Sequence, residues 1–205
     1  MKKMKIIVCF LAATFVYSLQ AQTGAGSIIV GGSTSFSINH NSMKTKSDDT
    51  DTDPTKTNSF SISPQAGYFI IDNLAVGVSL PISLSASKDP NDNKERNSSI
   101  AFVPFGRYYI PSPSDLINPF AQIGIGIGSN KRKVMPETGD SSTQTFRVFQ
   151  WHIGAGGSIF FNERVAGDIM FYYAYESRKA KEDNDANLRT INGNFGISGG
   201  ISVFF

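Results

Sequence analysis

The chain has 205 residues, enough for one domain, and its 19 basic and 17 acidic residues leave it near neutrality. It has no basic stripe with interleaved aromatics, so nucleic acid is excluded as a partner on this reading. Its single cysteine, Cys9, cannot build a disulfide framework.

At the N-terminus, Lys2, Lys3 and Lys5 precede an apolar run over 6–16, and Ser18-Leu19-Gln20-Ala21 ends in a small residue. This is the pattern of a cleavable signal peptide over 1–21. The run of about 11 residues is too short for a spanning helix, which needs roughly 20. Cys9 lies inside the run and leaves with it, so the mature chain, 22–205, has no thiol for a lipid anchor, a disulfide or catalysis. Losing three lysines leaves sixteen basic residues against seventeen acidic ones, and the slight basicity of the whole belongs to the signal.

No stretch of 22–205 repeats apolar residues at helical spacing for three turns, whereas alternation with period two recurs throughout. It predicts eight strands, at 27–40, 57–70, 74–87, 98–110, 119–130, 145–161, 164–177 and 189–205. In the second, Phe60, Ile62, Ala66, Tyr68 and Ile70 oppose Ser61, Ser63, Gln65 and Gly67. In the seventh, Val165, Ile169, Phe171, Tyr173 and Tyr175 oppose Asp168, Tyr172, Ala174 and Glu176. In the last, Ile191, Phe195, Ile197, Ile201, Val203 and Phe205 oppose Asn192, Asn194, Ser198 and Ser202.

The connections alternate in kind. Ile71-Asp72-Asn73, 111–118 and Asn162-Glu163 are short or turn-like, while 40–56, 88–97, 131–144 and 178–188 are longer and charged. Short turns at one end and long loops at the other are the mark of a bacterial membrane barrel. A soluble β-sandwich also alternates, but its polar face meets water with many Lys and Glu. Here the polar faces are mostly Ser, Gly, Asn and Gln, small enough for a narrow barrel interior. Aromatics gather at Tyr68, Tyr108, Tyr109, Phe160, Phe161, Phe204 and Phe205 toward the turn end, and at Phe149, Trp151, Tyr173 and Tyr175 higher up, as two interfacial girdles would. The expected fold is all-β, an eight-stranded antiparallel up-and-down transmembrane β-barrel over 22–205.

Signal, eight strands, loop asymmetry and the ending Ile201-Ser202-Val203-Phe204-Phe205 together resemble the small outer-membrane β-barrel family of Gram-negative bacteria, the OmpX and OmpA-transmembrane-domain kind. The resemblance implies an outer-membrane location among lipid and lipopolysaccharide, a monomer, and Phe205 as an assembly signal read by the barrel-assembly machinery. It implies no single function, because such barrels serve as adhesins, envelope anchors, lipid-modifying enzymes and small channels.

The polar positions expected to face the lumen are Gln65, Arg107, Gln122, Gln150, His152, Asp168, Glu176, Asn192 and Asn194. Arg107 and Asp168 fall at similar depth, and a charge in so confined a space needs a partner, so a mutual pair in a structural plug is expected. Catalytic signals are few. His40-Asn41-Ser42 has a His-x-Ser spacing that resembles the dyad of lipid A deacylases, but early in the chain instead of late. His152 has Gly154 where a serine would stand. No catalytic site and no cofactor or metal site is expected. Gly124-Ile125-Gly126-Ile127-Gly128 lacks the following helix that a phosphate loop needs, and reads as room for large side chains across the lumen or a sharp bend. Asp49, Asp51 and Asp53 start like a calcium loop, but Pro54 stands where the turn glycine belongs.

Lys131-Arg132-Lys133, at the base of a long loop, is a candidate contact for glycolipid phosphates. Two roles follow. One is a non-catalytic envelope or interaction protein whose loops meet a surface ligand. The other is a barrel of the OmpW sort passing small hydrophobic molecules sideways, for which Pro64, Pro81 and Pro104 could weaken the wall or shape it with bulges. N-terminal sequencing of the membrane-inserted protein is expected to start at Gln22. A start at Met1 would rule out the cleavable signal.

Overall fold

The computed structural model describes residues 23–41, 55–89, 93–112, 116–138, 140–181 and 189–205, with the side chains of 34–41 and 55–57 left aside. The signal peptide expected over 1–21, Ser42, and the aspartates at Asp49, Asp51 and Asp53 lie outside the described residues.

The alternating segments form β1 (Ile28–Asn41), β2 (Thr55–Ile71), β3 (Leu74–Ser79), β4 (Ile82–Lys88), β5 (Lys94–Tyr109), β6 (Ile117–Met135), β7 (Ser142–Phe160), β8 (Val165–Ala180) and β9 (Arg189–Phe204). All pairings are antiparallel, and β1 pairs with both β2 and β9, which closes the sheet on itself. β3 and β4 are two parts of one barrel strand. Both lie between β2 and β5, and the ladder keeps its register across Leu80 and Pro81, from Gln65↔Ser79 to Ile62↔Ile82. The fold is therefore an eight-stranded antiparallel barrel.

Closure is completed at the chain's last residue. The Ile28 N–H donates to the Phe205 carbonyl and the Phe205 N–H to the Ile28 carbonyl, both at 2.8 Å. At the same end Asn73 holds a positive φ of 67° in the β2–β3 turn, a conformation that asparagine tolerates. Residues just before β1 buttress that turn. The Thr23 hydroxyl donates to Asn73 Oδ1 at 2.7 Å, and the Ala25 N–H donates to Asp72 Oδ1 at 2.8 Å. In the β7–β8 turn, Asn162 Oδ1 accepts the N–H groups of Arg164 and Val165, each at 2.9 Å.

The outward face is apolar and open to the surroundings: Phe195 is 85% exposed and Ile127 68%. A continuous band of such residues is stable only against lipid. Among the outward aromatics, Trp151 stacks on Tyr175 at 5.7 Å and meets Tyr173 at 5.6 Å, forming part of the upper girdle.

Three expectations change. The strands run further than their apolar pattern. β5 begins at Lys94, β6 reaches Met135 and β7 begins at Ser142, so much of 88–97 and 131–144 is paired strand. Ladder hydrogen bonds use the backbone, and charged side chains standing clear of the membrane do not oppose them. The lower girdle is also thinner than expected. Tyr68, Tyr108, Phe161 and Phe205 face out, but Tyr109, Phe160 and Phe204 point inward and are buried. Finally, no extra residue accompanies the prolines. The β1–β2 ladder is unbroken through Gly32↔Pro64, and β5–β6 resumes in register from Phe102↔Ile127 to Phe105↔Gly124. The register shift that does occur, in the β2–β3 ladder, lies at Phe69/Ile71 beside the turn. The prolines remove donors without adding bulges.

Phe204→Ala would leave a hole among buried rings, at a cost of about 3–5 kcal/mol. Denaturant midpoints of heat-modifiable gel migration in micelles are expected to fall clearly further for Phe204→Ala than for the outward Phe171→Ala. Equal shifts would contradict the inward placement of Phe204.

Candidate functional site

The barrel interior is built in layers from the turn end upward. The lowest is a cluster of Ile29, Phe69, Ala75, Tyr109, Phe120, Phe160, Ala166 and Phe204. Each lies on the inward parity of its strand, and the rings meet at centroid distances of 5.1 Å for Phe160–Phe204, 5.7 Å for Tyr109–Phe120 and 5.9 Å for Phe69–Tyr109. Eight strands leave an interior about one layer of side chains wide, so these rings fill the section. Phe69 has no exposed surface at all.

Directly above lies a charged network. Arg107 on β5 donates from Nη1 to Asp168 Oδ2 on β8 at 2.7 Å, joining opposite walls of the barrel. Its Nε donates to Gln122 Oε1 at 2.7 Å, and Nη1 also reaches the Tyr109 hydroxyl at 3.1 Å. The guanidinium carbon lies 4.2 Å from the centre of the Phe120 ring, so the cation rests on the aromatic layer beneath. Asp168 is saturated in turn. Ser158 Oγ donates to Oδ1 at 2.6 Å and Ser202 Oγ to Oδ2 at 2.7 Å. Gln122 Nε2 meets His152 Nε2 at 3.2 Å. Among the described residues no buried side-chain nitrogen or oxygen lacks a hydrogen-bond partner. A buried ion pair is retained without penalty only when its remaining donors and acceptors are satisfied in this way.

Above the network a polar cavity of about 510 Å³ runs toward the loop end. Gln65, Gln150, His152, Glu176, Asn192 and Asn194 stand on its wall, with Arg107, Gln122 and Asp168 at its base. All nine residues expected in the lumen therefore border one space. Asn192 and Asn194 are solvent-exposed within it, while Arg107, Gln122 and Asp168 are buried. Higher up, Arg178 pairs with Glu176 at 2.5 Å, and Arg132 with Glu95 at 2.7 Å.

Ser158, Ser202, Tyr109 and Phe120 belong to the network or its floor but were not among the expected site residues. Parity was the available signal: Phe120 shares its face with Gln122, Tyr109 with Arg107, and Ser202 with Asn192. The glycine run of β6 serves neighbouring strands, not the far wall. A Cβ at Gly124 would stand 2.4 Å from His152 Cε1, and one at Gly126 would stand 2.3 Å from the Phe102 carbonyl oxygen on β5.

Of the candidate reactive groups, the side chain of His40 lies outside the described residues, and no serine or carboxylate bonds His152 among those described. No group of three or more His, Cys, Asp or Glu side chains among the described residues could hold a metal ion. Lys131-Arg132-Lys133 is on β6 instead of at a loop base, and its members diverge: Arg132 pairs with Glu95, while Lys131 and Lys133 share the opposite parity.

Asp168→Ala would strand a buried guanidinium and is expected to cost about 3–5 kcal/mol. The double change Arg107→Met with Asp168→Ala is expected to recover more than half of that loss in denaturant titrations of the folded barrel. A double variant no more stable than Asp168→Ala would mean that the pair is not what Asp168 supports.

Comparison with known proteins adds the family. No curated protein sequence matches the chain. Among solved structures, the chain is similar to the outer membrane protein OprG from Pseudomonas aeruginosa, at 15% identity over 91% of this chain and 99% of that one, with a TM-score of 0.48. It is also similar to Neisserial surface protein A, at 18% identity over 88% and 98%, with a TM-score of 0.46. The family model described as the outer membrane protein beta-barrel domain matches residues 6–198. The chain belongs to that family, and it is a β-barrel protein of the outer membrane.

Proposed function

We propose that this protein is a non-catalytic barrel that serves envelope structure or surface contact through its four loop-side connections, and does not conduct solutes from end to end. The observation that carries this reading is the two-layer floor of the lumen. Packed rings, with Arg107 and Asp168 joined directly above them, occupy the turn end of the lumen, which supports a barrel closed to through-passage. The pairing of His152 with Gln122 further supports a structural role for that histidine. In planar bilayers the purified barrel is expected to give no steady single-channel current. Its surface contacts should weaken when residues 43–53 or 182–188 are deleted. A stable current, or binding and adhesion indifferent to both deletions, would sink the reading.

A second reading is lateral passage of small hydrophobic molecules, and one observation favours it. Pro64, Pro81 and Pro104 lie on three consecutive barrel strands, and Pro81 borders the cavity. The Leu80 N–H reaches the Pro64 carbonyl at 2.9 Å, and the Ala101 N–H reaches the Pro81 carbonyl at 3.1 Å, but neither proline can donate in return. The β5–β6 ladder has no pair at Val103 and Pro104. Three adjacent seams are thus thinned at similar height. Replacing Pro64 and Pro104 by valine restores donors, and on this reading should slow uptake of a small hydrophobic solute into proteoliposomes. Unchanged uptake would remove lateral passage from consideration. A lipid A mass spectrum unaltered by the protein is the result expected of a non-catalytic barrel.

A further inference from the structure

The outer wall of β2, β4, β5 and β6 changes character over four transverse rows, which the register defines. The row nearest the membrane centre joins Phe102 to Ile127, level with Leu80. The next contains Ile62, Ile82, Ile100 and Ser129. Above it come Phe60, Leu84, Ser98 and Lys131, and then Asn58, Ala86, Arg96 and Lys133. Rows lie ~7 Å apart and strands ~4.8 Å apart. The wall therefore passes from wholly apolar to cationic within about two rows, on the side away from the short turns.

The cations of this face are not neutralised by their neighbours. Arg96 and Lys133 stand side by side, with Lys131 one row below. Among the described residues none of the three forms an ion pair. Glu95, adjacent in sequence to Arg96, has the inward parity and is held by Arg132 at 2.7 Å and by Asn97 at 2.9 Å. That pairing places one positive charge of the Lys131-Arg132-Lys133 run, together with Glu95, on the other side of the wall. What remains outside is a shallow depression of about 500 Å³ bordered by Phe60, Leu84, Ala86, Arg96, Lys131 and Lys133. Its floor is apolar and continuous with the lipid-facing band, and its upper rim is positive.

We propose that this face is a binding site for a phosphate-bearing glycolipid of the outer leaflet. Acyl chains lie along Phe60, Leu84 and Ile100, and a headgroup phosphate is held by Arg96, Lys131 and Lys133. Charge-assisted bonds to phosphate supply the specificity, and burial of acyl methylenes supplies much of the affinity. The site is independent of the surface-contact role, since a barrel whose loops bind nothing could still hold the lipid.

Native mass spectrometry of the mature barrel released from phosphatidylcholine nanodiscs tests it, with bis-phosphorylated lipid A, fully dephosphorylated lipid A and phosphatidylglycerol as separate probes. Bis-phosphorylated lipid A is expected to be retained. The triple variant R96Q/K131Q/K133Q should lose about tenfold in affinity, in keeping with the loss of charge-assisted bonds. A control, R147Q/R164Q/R189Q, removes as much charge elsewhere and should bind as the parent does. Single variants R96Q and K131Q, each checked for heat-modifiable migration, should give intermediate losses if the triple variant folds poorly. Retention undiminished in the variants overturns the proposal. So does equal binding of dephosphorylated lipid A or phosphatidylglycerol, or displacement by millimolar inorganic phosphate, which would mean that the face reads a free anion.

Discussion

The constraint on which this molecule depends is that no backbone donor or acceptor can be left open in hydrocarbon, where each would cost several kcal/mol. A sheet meets that condition only by closing. Closure falls to the β1–β9 seam and to the reciprocal bonds between Ile28 and Phe205. Once the sheet is a ring, period-two alternation has only one meaning, lipid on one side and lumen on the other. The prolines are notable against this background. They sit in a wall whose register never slips around them, so each leaves an acceptor short of its usual partner.

The narrowness of the ring decides what the lumen contains. Eight strands enclose room for side chains and little else. The chain fills the turn end with aromatic rings and places its deepest charges on top of them. Arg107 is held in four ways: by the carboxylate of Asp168, by the amide of Gln122, by the hydroxyl of Tyr109 and by the face of Phe120. Asp168 is held by Arg107 and two serines. The turn end of the interior is thus packed with side chains, and the polar cavity lies above it. The proposed roles accordingly fall to the loop-side surface, to the thinned seams of the wall, or to its lipid-facing exterior.

Much of this was legible along the chain. The strands were marked by alternation, and their turn ends by Asp72-Asn73 and Asn162-Glu163. The nine lumenal residues were marked by parity, and the depth match of Arg107 and Asp168 by their distance from the turn. Misreadings came where composition was followed in place of parity. Phe160 and Phe204 were grouped with Phe161 and Phe205 because they are aromatic and near a strand end, although consecutive residues of a strand face opposite ways. The charged stretches 88–97 and 131–144 looked like loops because their side chains are polar, yet a strand clear of the bilayer needs no apolar residues to pair. The glycine run at 124–128 reads as room for side chains across the lumen or as a bend, while the crowded neighbour of Gly124 is His152 on the adjacent strand.

By itself the sequence determined the class of fold, the outward face and the identity of the lumenal residues, because all three follow from a local period that any strand must obey. It could not determine who meets whom around the ring. Arg107 and Asp168 are separated by 61 positions, and Phe60, Leu84, Ser98 and Lys131 come from four different strands. Those neighbours are created by register and by closure, which are properties of the whole ring. Only the tertiary structure could therefore decide that Arg132 meets Glu95 inside while Lys131 and Lys133 join Arg96 outside.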